Sequence, residues 1–166
     1  MRTIPLSKGL VAKVDDADFE WLSSYSWHAA ISPYSTSPYA RTTIYLGGGR
    51  KNLANTSVMM HRLLLDAKKG QFVDHINHDG LDNRRCNLRR CDRGQNGRNS
   101  RKKAGVYASD FKGVGWCKRR KKWTACVNVN GRRTLIGRFD DEEDAAIAYD
   151  VAAQVFYGAF AKLNKS

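Results

Sequence analysis

Residues 74–96 read DHINHDGLDNRRCNLRRCDRGQN, and their reading decides the fold of the middle of the chain. QFVDH just before and within it predicts a strand ending on Asp74 and His75. HDGLDNRR predicts a turn, because Asp79-Gly80 and Asp82-Asn83 favour turn conformations. NLRRC predicts a return strand. Asp92 then caps a predicted helix through RGQNGRN. The order is strand, loop, strand, helix. The same 23 residues gather Asp74, His75, Asn87 and Asn96 among arginines. A carboxylate and an amide oxygen suit a hard divalent cation. An imidazole takes a proton from water at neutral pH, and arginines suit a phosphate-bearing substrate. The pattern points to metal-assisted cleavage of a nucleic acid.

Charge supports that direction. The 166 residues carry 29 Lys+Arg against 16 Asp+Glu, net +13. A chain this basic meets a polyanion, most often nucleic acid, rather than merely displaying a solvated surface. Residues 61–103 are the most basic stretch, with 12 basic and 5 acidic side chains. No apolar run approaches the length of a membrane span, and MRTIPLSKGL lacks a signal-peptide core. The four cysteines form no CxxC pair and fit reduced thiols in a cytoplasm. A zinc site from His75, His78, Cys86 and Cys91 has acceptable ligand types but matches no common spacing.

Working outward, the fold class is α+β in three parts. Residues 1–60 form a small mixed region supporting the core. VDDADFEWLSSYSW predicts a short helix capped by Asp15 or Asp16. YARTTIYL and SVMMHRLLL predict strands around the GGGR turn, with VMMHRLLLD able to pack as a short helix or strand end. Trp21, Trp27 and Tyr34 are expected in the core. His61, next to Arg62, reads as structural or phosphate-contacting. Residues 61–103 hold the candidate site and a basic linker, GRNSRKKAG. In residues 104–166, GVYASDFKGVGWCKRR, KWTACVNVNG and RRTLIGRF predict three strands, and Asn130-Gly131 a hairpin turn. DDEEDAAIAYDVAAQVFYGAF predicts an amphipathic helix packed through Ala145, Ala148, Ala152, Val155 and Phe156.

Two family resemblances follow from these motifs. Asp74-His75, Asn87 in NLR and Asn96 in QN resemble the HNH endonucleases, closest to the phage homing branch, over roughly residues 55–100. That resemblance implies a ββα-metal core. In it Asp74 and Asn96 hold Mg²⁺ or Mn²⁺, His75 activates water, and Asn87 holds the hairpin and orients His75. Arg84, Arg85, Arg89 and Arg90 are candidate phosphate contacts. Residues 107–164 resemble the plant ethylene-response-factor (Apetala-two type) DNA-binding domain. Shared pieces are the aromatic-basic-Gly-Val opening, KW-A, Leu-Ile-Gly-x-Phe, EEDAAIAYDVAA and the closing Gly-x-x-Ala-x-Leu-Asn. That resemblance implies a three-stranded antiparallel sheet packed on one helix. Lys112, Trp116, Arg119, Arg120, Trp123, Arg132 and Arg133 would form its DNA face, with core packing an equally open reading for Trp123. Gly115, Cys126 and Asn128 depart from the plant pattern, which puts plant target sequences in doubt.

The combined expectation is a metal-dependent endonuclease acting on double-stranded DNA, a phage-type homing or nicking enzyme in the cytoplasm of a bacterial host. It needs no membrane and no small-molecule cofactor. The rivals are a DNA-binding transcriptional regulator with an inactive nuclease core and an RNA-binding module. Target sequence and oligomeric state are not readable.

Overall fold

The computed structural model describes residues 1–32, 37–45, 55–102 and 105–165. The GGGR turn and Tyr34 lie outside these residues. The chain forms two compact units, Met1–Arg93 and Gly94–Ser166. It is mixed α+β, with several small antiparallel sheets and, among the described residues, four α-helices. None of those helices is long and apolar enough to cross a membrane.

The first unit opens with an antiparallel hairpin, β1 (Arg2–Pro5) and β2 (Val11–Val14). Helix α1 (Asp16–Ser23) follows. Its N-cap is Asp15, but the Asp15 carboxylate accepts from the backbone N–H of Arg85 instead of from its own helix. A second sheet runs β3 (His28–Ala30), β4 (Tyr39–Tyr45) and β5 (Asn55–Met59), all antiparallel. At Met60 the chain turns directly into α2 (Met60–Leu64), so VMMHRLLL is half strand and half helix. Its buried side chains, Met60, His61 and Leu64, share one face of that single turn. The third sheet pairs β6 (Phe72–His75) with β7 (Leu88–Cys91).

One core joins these pieces: Ile4, Val14, Leu22, Trp27, Met60 and Leu88 are buried together. Trp27 meets the core expectation, its indole N–H donating to the Leu22 carbonyl at 2.8 Å. Trp21 does not. It stands exposed, because Asp18 holds its indole N–H at the helix surface.

In the second unit, β8 (Val114–Cys117), β9 (Lys122–Val129) and β10 (Arg132–Phe139) form an antiparallel sheet with β9 central. The predicted first strand is shorter than expected. Residues 107–113 are held by hydrogen bonds to side chains instead of a ladder: Phe111 N–H donates to Ser109 Oγ, and Lys112 N–H to Asn164 Oδ1. Asn130 and Gly131 both take positive φ (50° and 77°), which matches the right-handed twist of the strands they join. Helix α4 (Glu142–Tyr157) is capped by Asp141, whose carboxylate accepts from the N–H groups of Glu143 and Asp144.

The buried stripe of α4 is Ala145, Ala146, Tyr149, Ala152, Ala153 and Tyr157. Val155 (75% exposed) and Phe156 therefore leave the predicted face. Val155 lies well off the stripe at about 100° per residue. At the last turn Tyr157 takes the inward place, its hydroxyl bonded to both the N–H and the carbonyl of Asn128. The expected linker is tied into this unit. Lys112 Nζ donates to the carbonyls of Arg98 and Ser100, and the Arg98 guanidinium lies over the Tyr157 ring. Lys103 and Ala104 lie outside the described residues.

Candidate active site

Asp74 and His75 close β6, and register places them opposite Arg89 and Leu88 of β7. Both are buried, at 8% and 5% exposure. Burial comes from the loop between the strands, which folds around Asn87. The Asn87 Oδ1 accepts from the Asn77 N–H, and its Nδ2 donates to Asn77 Oδ1 and to the Asp82 carbonyl, all within 3.0 Å. Asn77 Nδ2 in turn donates to Asp82 Oδ2. The side chain of Asn87 thus holds the loop shut. Gly80 lets that loop reach the neighbouring sheet: a Cβ there would lie 2.4 Å from the Pro38 carbonyl oxygen and 2.8 Å from the Tyr39 ring.

The residue facing the His75 ring nitrogen is one that sequence reading placed only in a turn. Asn83, fully buried, sets its Oδ1 3.4 Å from His75 Nε2, so it accepts from the tautomer protonated at that nitrogen. The Asn83 N–H donates to the Lys13 carbonyl, which anchors it on the first hairpin. Two further rings close on His75. His61 meets it edge to face with centroids 4.9 Å apart, and Tyr39 tilts against both. Tyr39 and His61 are 36 and 14 residues away in sequence; the His61-Arg62 dipeptide ahead of the motif marks His61, and no local pattern marks Tyr39.

Burial pulls the His75 pKa below its ordinary value, while Asn83 and the carboxylates of Asp74, Asp79 and Asp82 pull it back. At neutral pH the ring is uncharged and able to accept a proton. Burial, with help from His75 and Arg62, drives His61 down to about 3, so it too is neutral.

The arginines of this stretch have partners inside the unit. Arg84 grips the Asp82 carboxylate at 2.8 and 2.6 Å and lowers its pKa. Arg85 grips Asp18 with two bonds of 2.7 Å and lowers it likewise. Arg90 donates to the Leu65 carbonyl. Arg89 donates through Nε and Nη2 to Asp74 Oδ2, at 2.9 and 2.7 Å. Arg84, Arg85 and Arg90 keep surface exposure, whereas Arg89 is mostly buried. Asn96 lies half-buried on α3 (Arg93–Asn99), in the second unit. Among the described residues, no group of three or more His, Cys, Asp or Glu is gathered so as to hold a metal ion.

In the second unit the expected DNA-facing residues divide. Register puts Asn128 and Arg133 opposite each other on the face turned away from α4. A cavity of about 460 Å³ opens on that face, between Tyr107, Gly115, Cys126, Asn128 and Arg133. Arg119 and Arg120 are exposed in the β8–β9 turn. Trp123, by contrast, packs toward the helix-side core, and Trp116 contacts it edge to face at 5.0 Å. Arg132 alternates onto that same side. Lys112 is spent inside, on the Arg98 and Ser100 carbonyls, and burial pulls its pKa down to about 8.

No family model matches this chain. The chain is 29% identical over 160 residues to an uncharacterized HNH endonuclease of Acanthamoeba polyphaga mimivirus. That alignment spans 95% of this chain and 76% of the relative.

Proposed function

We propose that this protein is a metal-dependent HNH-type endonuclease that hydrolyses phosphodiester bonds of double-stranded DNA, as a homing or nicking enzyme whose second unit targets it. The observation that carries the reading is a buried, neutral His75 next to Asp74 at the mouth of a hairpin held by Asn87. The likeness to a relative named as an HNH endonuclease suggests a nuclease and implies a nucleic-acid substrate.

The donor chemistry fits Mg²⁺ or Mn²⁺. Asp74 supplies a carboxylate, a hard ligand, and such ions keep several positions for water and phosphate oxygens. A cation at Asp74 shares that carboxylate with Arg89. When bound, the ion offsets charge on the phosphate and steadies the leaving oxygen. The chain's own groups do the rest. His75 takes the proton of the attacking water, Asn83 holds the far side of its ring, and Asn87 keeps the loop in place. Arg84 and Arg85 present partly exposed guanidinium groups to phosphate. Arg133, Arg119 and Arg120 engage DNA from the second unit.

Supercoiled plasmid incubated with and without Mg²⁺ tests this directly. Metal-dependent nicking that disappears in Asp74→Ala supports it. One observation favours a second reading, a DNA-binding regulator with an inactive core: the two bonds from Arg89 satisfy Asp74 without a metal. Tight duplex binding with no cleavage at any Mg²⁺ or Mn²⁺ concentration would establish that reading instead.

A further inference from the structure

His61 packs against His75, yet the proposed chemistry leaves it idle. It is 9% exposed, and its Nδ1 is, among the described residues, a buried side-chain polar atom with no hydrogen-bond partner. Such an atom destabilises the fold, because a buried donor or acceptor left unmade loses its hydration without replacement. Buried polar groups are otherwise almost always paired, so each exception calls for a reason. A phenylalanine or leucine would fill the place without that cost. The ring is also not placed at random. α2 carries it into edge-to-face contact with His75 (4.9 Å, 78°), and Tyr39 closes the third side of the cluster.

We propose that His61 is a positioning residue for His75, its imidazole packed nearly perpendicular to the base and fixing its plane at the expense of fold stability. This inference rests on the nuclease reading above and deepens it. With Asn83 on the Nε2 side and the rings of Tyr39 and His61 packed against it, His75 has little freedom to turn. A base held in the productive orientation matters because small misplacements in an active site cost large factors in rate. Neutral His61 puts no positive charge beside His75, so it does not oppose proton uptake there.

Two variants of the full chain separate this role from packing. His61→Phe keeps a ring and removes the nitrogens, and His61→Leu removes both. Both should fold with a Tm equal to or above that of the wild type, since the unpartnered atom is gone. DNA affinity and KM should be unchanged. The kcat for nicking should fall about tenfold in His61→Phe and about a hundredfold in His61→Leu. Full rates in both variants would overturn the proposal, leaving the nitrogen a structural liability alone. Tm and kcat falling together would overturn it in favour of plain packing. Imidazole nitrogen NMR of His75 gives a readout independent of cleavage. Its ring signals should move in His61→Phe and broaden in His61→Leu, and unchanged signals would also overturn the proposal. If wild-type protein shows no metal-dependent nicking, the nuclease reading fails by itself, and the NMR shifts still decide whether His61 sets the His75 ring.

Discussion

The two units are built on opposite interiors. The first buries Asp18, Thr42, His61, Asp74, His75, Asp82, Asn83 and Asn87, whereas the buried polar residues described in the second are Asn99 and Ser109. Its core is instead alanine, valine and tyrosine between a sheet and a helix. All four histidines lie in the first unit. Buried polar networks are costly unless satisfied, and functional sites are where that cost is met. The contrast fits the proposed division, with chemistry in the first unit and binding in the second.

The sharpest way to break this contrast is to remove the chemistry and look for it elsewhere. Asp74→Ala should eliminate metal-dependent cleavage, and His75→Ala should slow it by roughly 10²–10⁴-fold. Duplex affinity by fluorescence anisotropy should stay near wild type in both. Arg133→Ala should do the reverse, weakening affinity while sparing the rate at saturating DNA. Cleavage surviving in Asp74→Ala would put the active site in another place.

Acid should separate the units next. An unfolded histidine takes a proton below about 6.5, but folded His61 resists until about 3. Falling pH therefore favours the unfolded state throughout that window; His75, also lowered, pushes the same way, and Asp18 and Asp82 join only as pH falls into the ordinary carboxylate range. The His61 contribution alone amounts to about 2–3 kcal/mol by pH 4.5. Hydrogen exchange at pH 7 and pH 4.5 should show protection lost mainly in the first unit. His61→Phe should flatten that loss, and an equal loss in both units would contradict the assignment.

A smaller effect tests the ion pairs. Arg85→Ala strands the buried Asp18 carboxylate. The expected cost is about 2 kcal/mol by urea denaturation, less than for a fully buried pair because Arg85 is half exposed. Asp18→Asn added to Arg85→Ala should recover part of it. The smallest change belongs to the second unit. Asp141→Ala removes the α4 cap and should cost about 1 kcal/mol there, with nicking rate at saturating DNA unchanged.

What could be read from the sequence follows the range of the signals. β6, β7, α3, the Asn130-Gly131 turn and the start of α4 all rest on residues within a few positions of one another, and these appear where their patterns put them. The contacts around His75 could be read only in part. Asp74 and Asn87 belong to the motif, but Tyr39, His61 and Asn83 reach the ring through sheet pairing and loop closure that no local spacing encodes. Val155 was misplaced because hydrophobicity alone does not say which side of an alanine-rich helix meets the sheet. Lys112 looks like a surface group in a basic stretch, and only the fold shows that helix-end carbonyls absorb it. Trp123 reads equally as a DNA-facing or a core residue, and the fold decides for the core.

The contacts of Asp15 and Asp18 with Arg85 have a consequence for biosynthesis. They span 70 and 67 residues, and the Lys13–Asp82 bridge joins the same regions. Contacts this distant along the chain slow folding, because the loop must close before they repay its entropy. The first hairpin and α1 thus leave the ribosome long before their partners exist. The first unit can close only after about Arg85 has emerged, when much of the second unit is still untranslated.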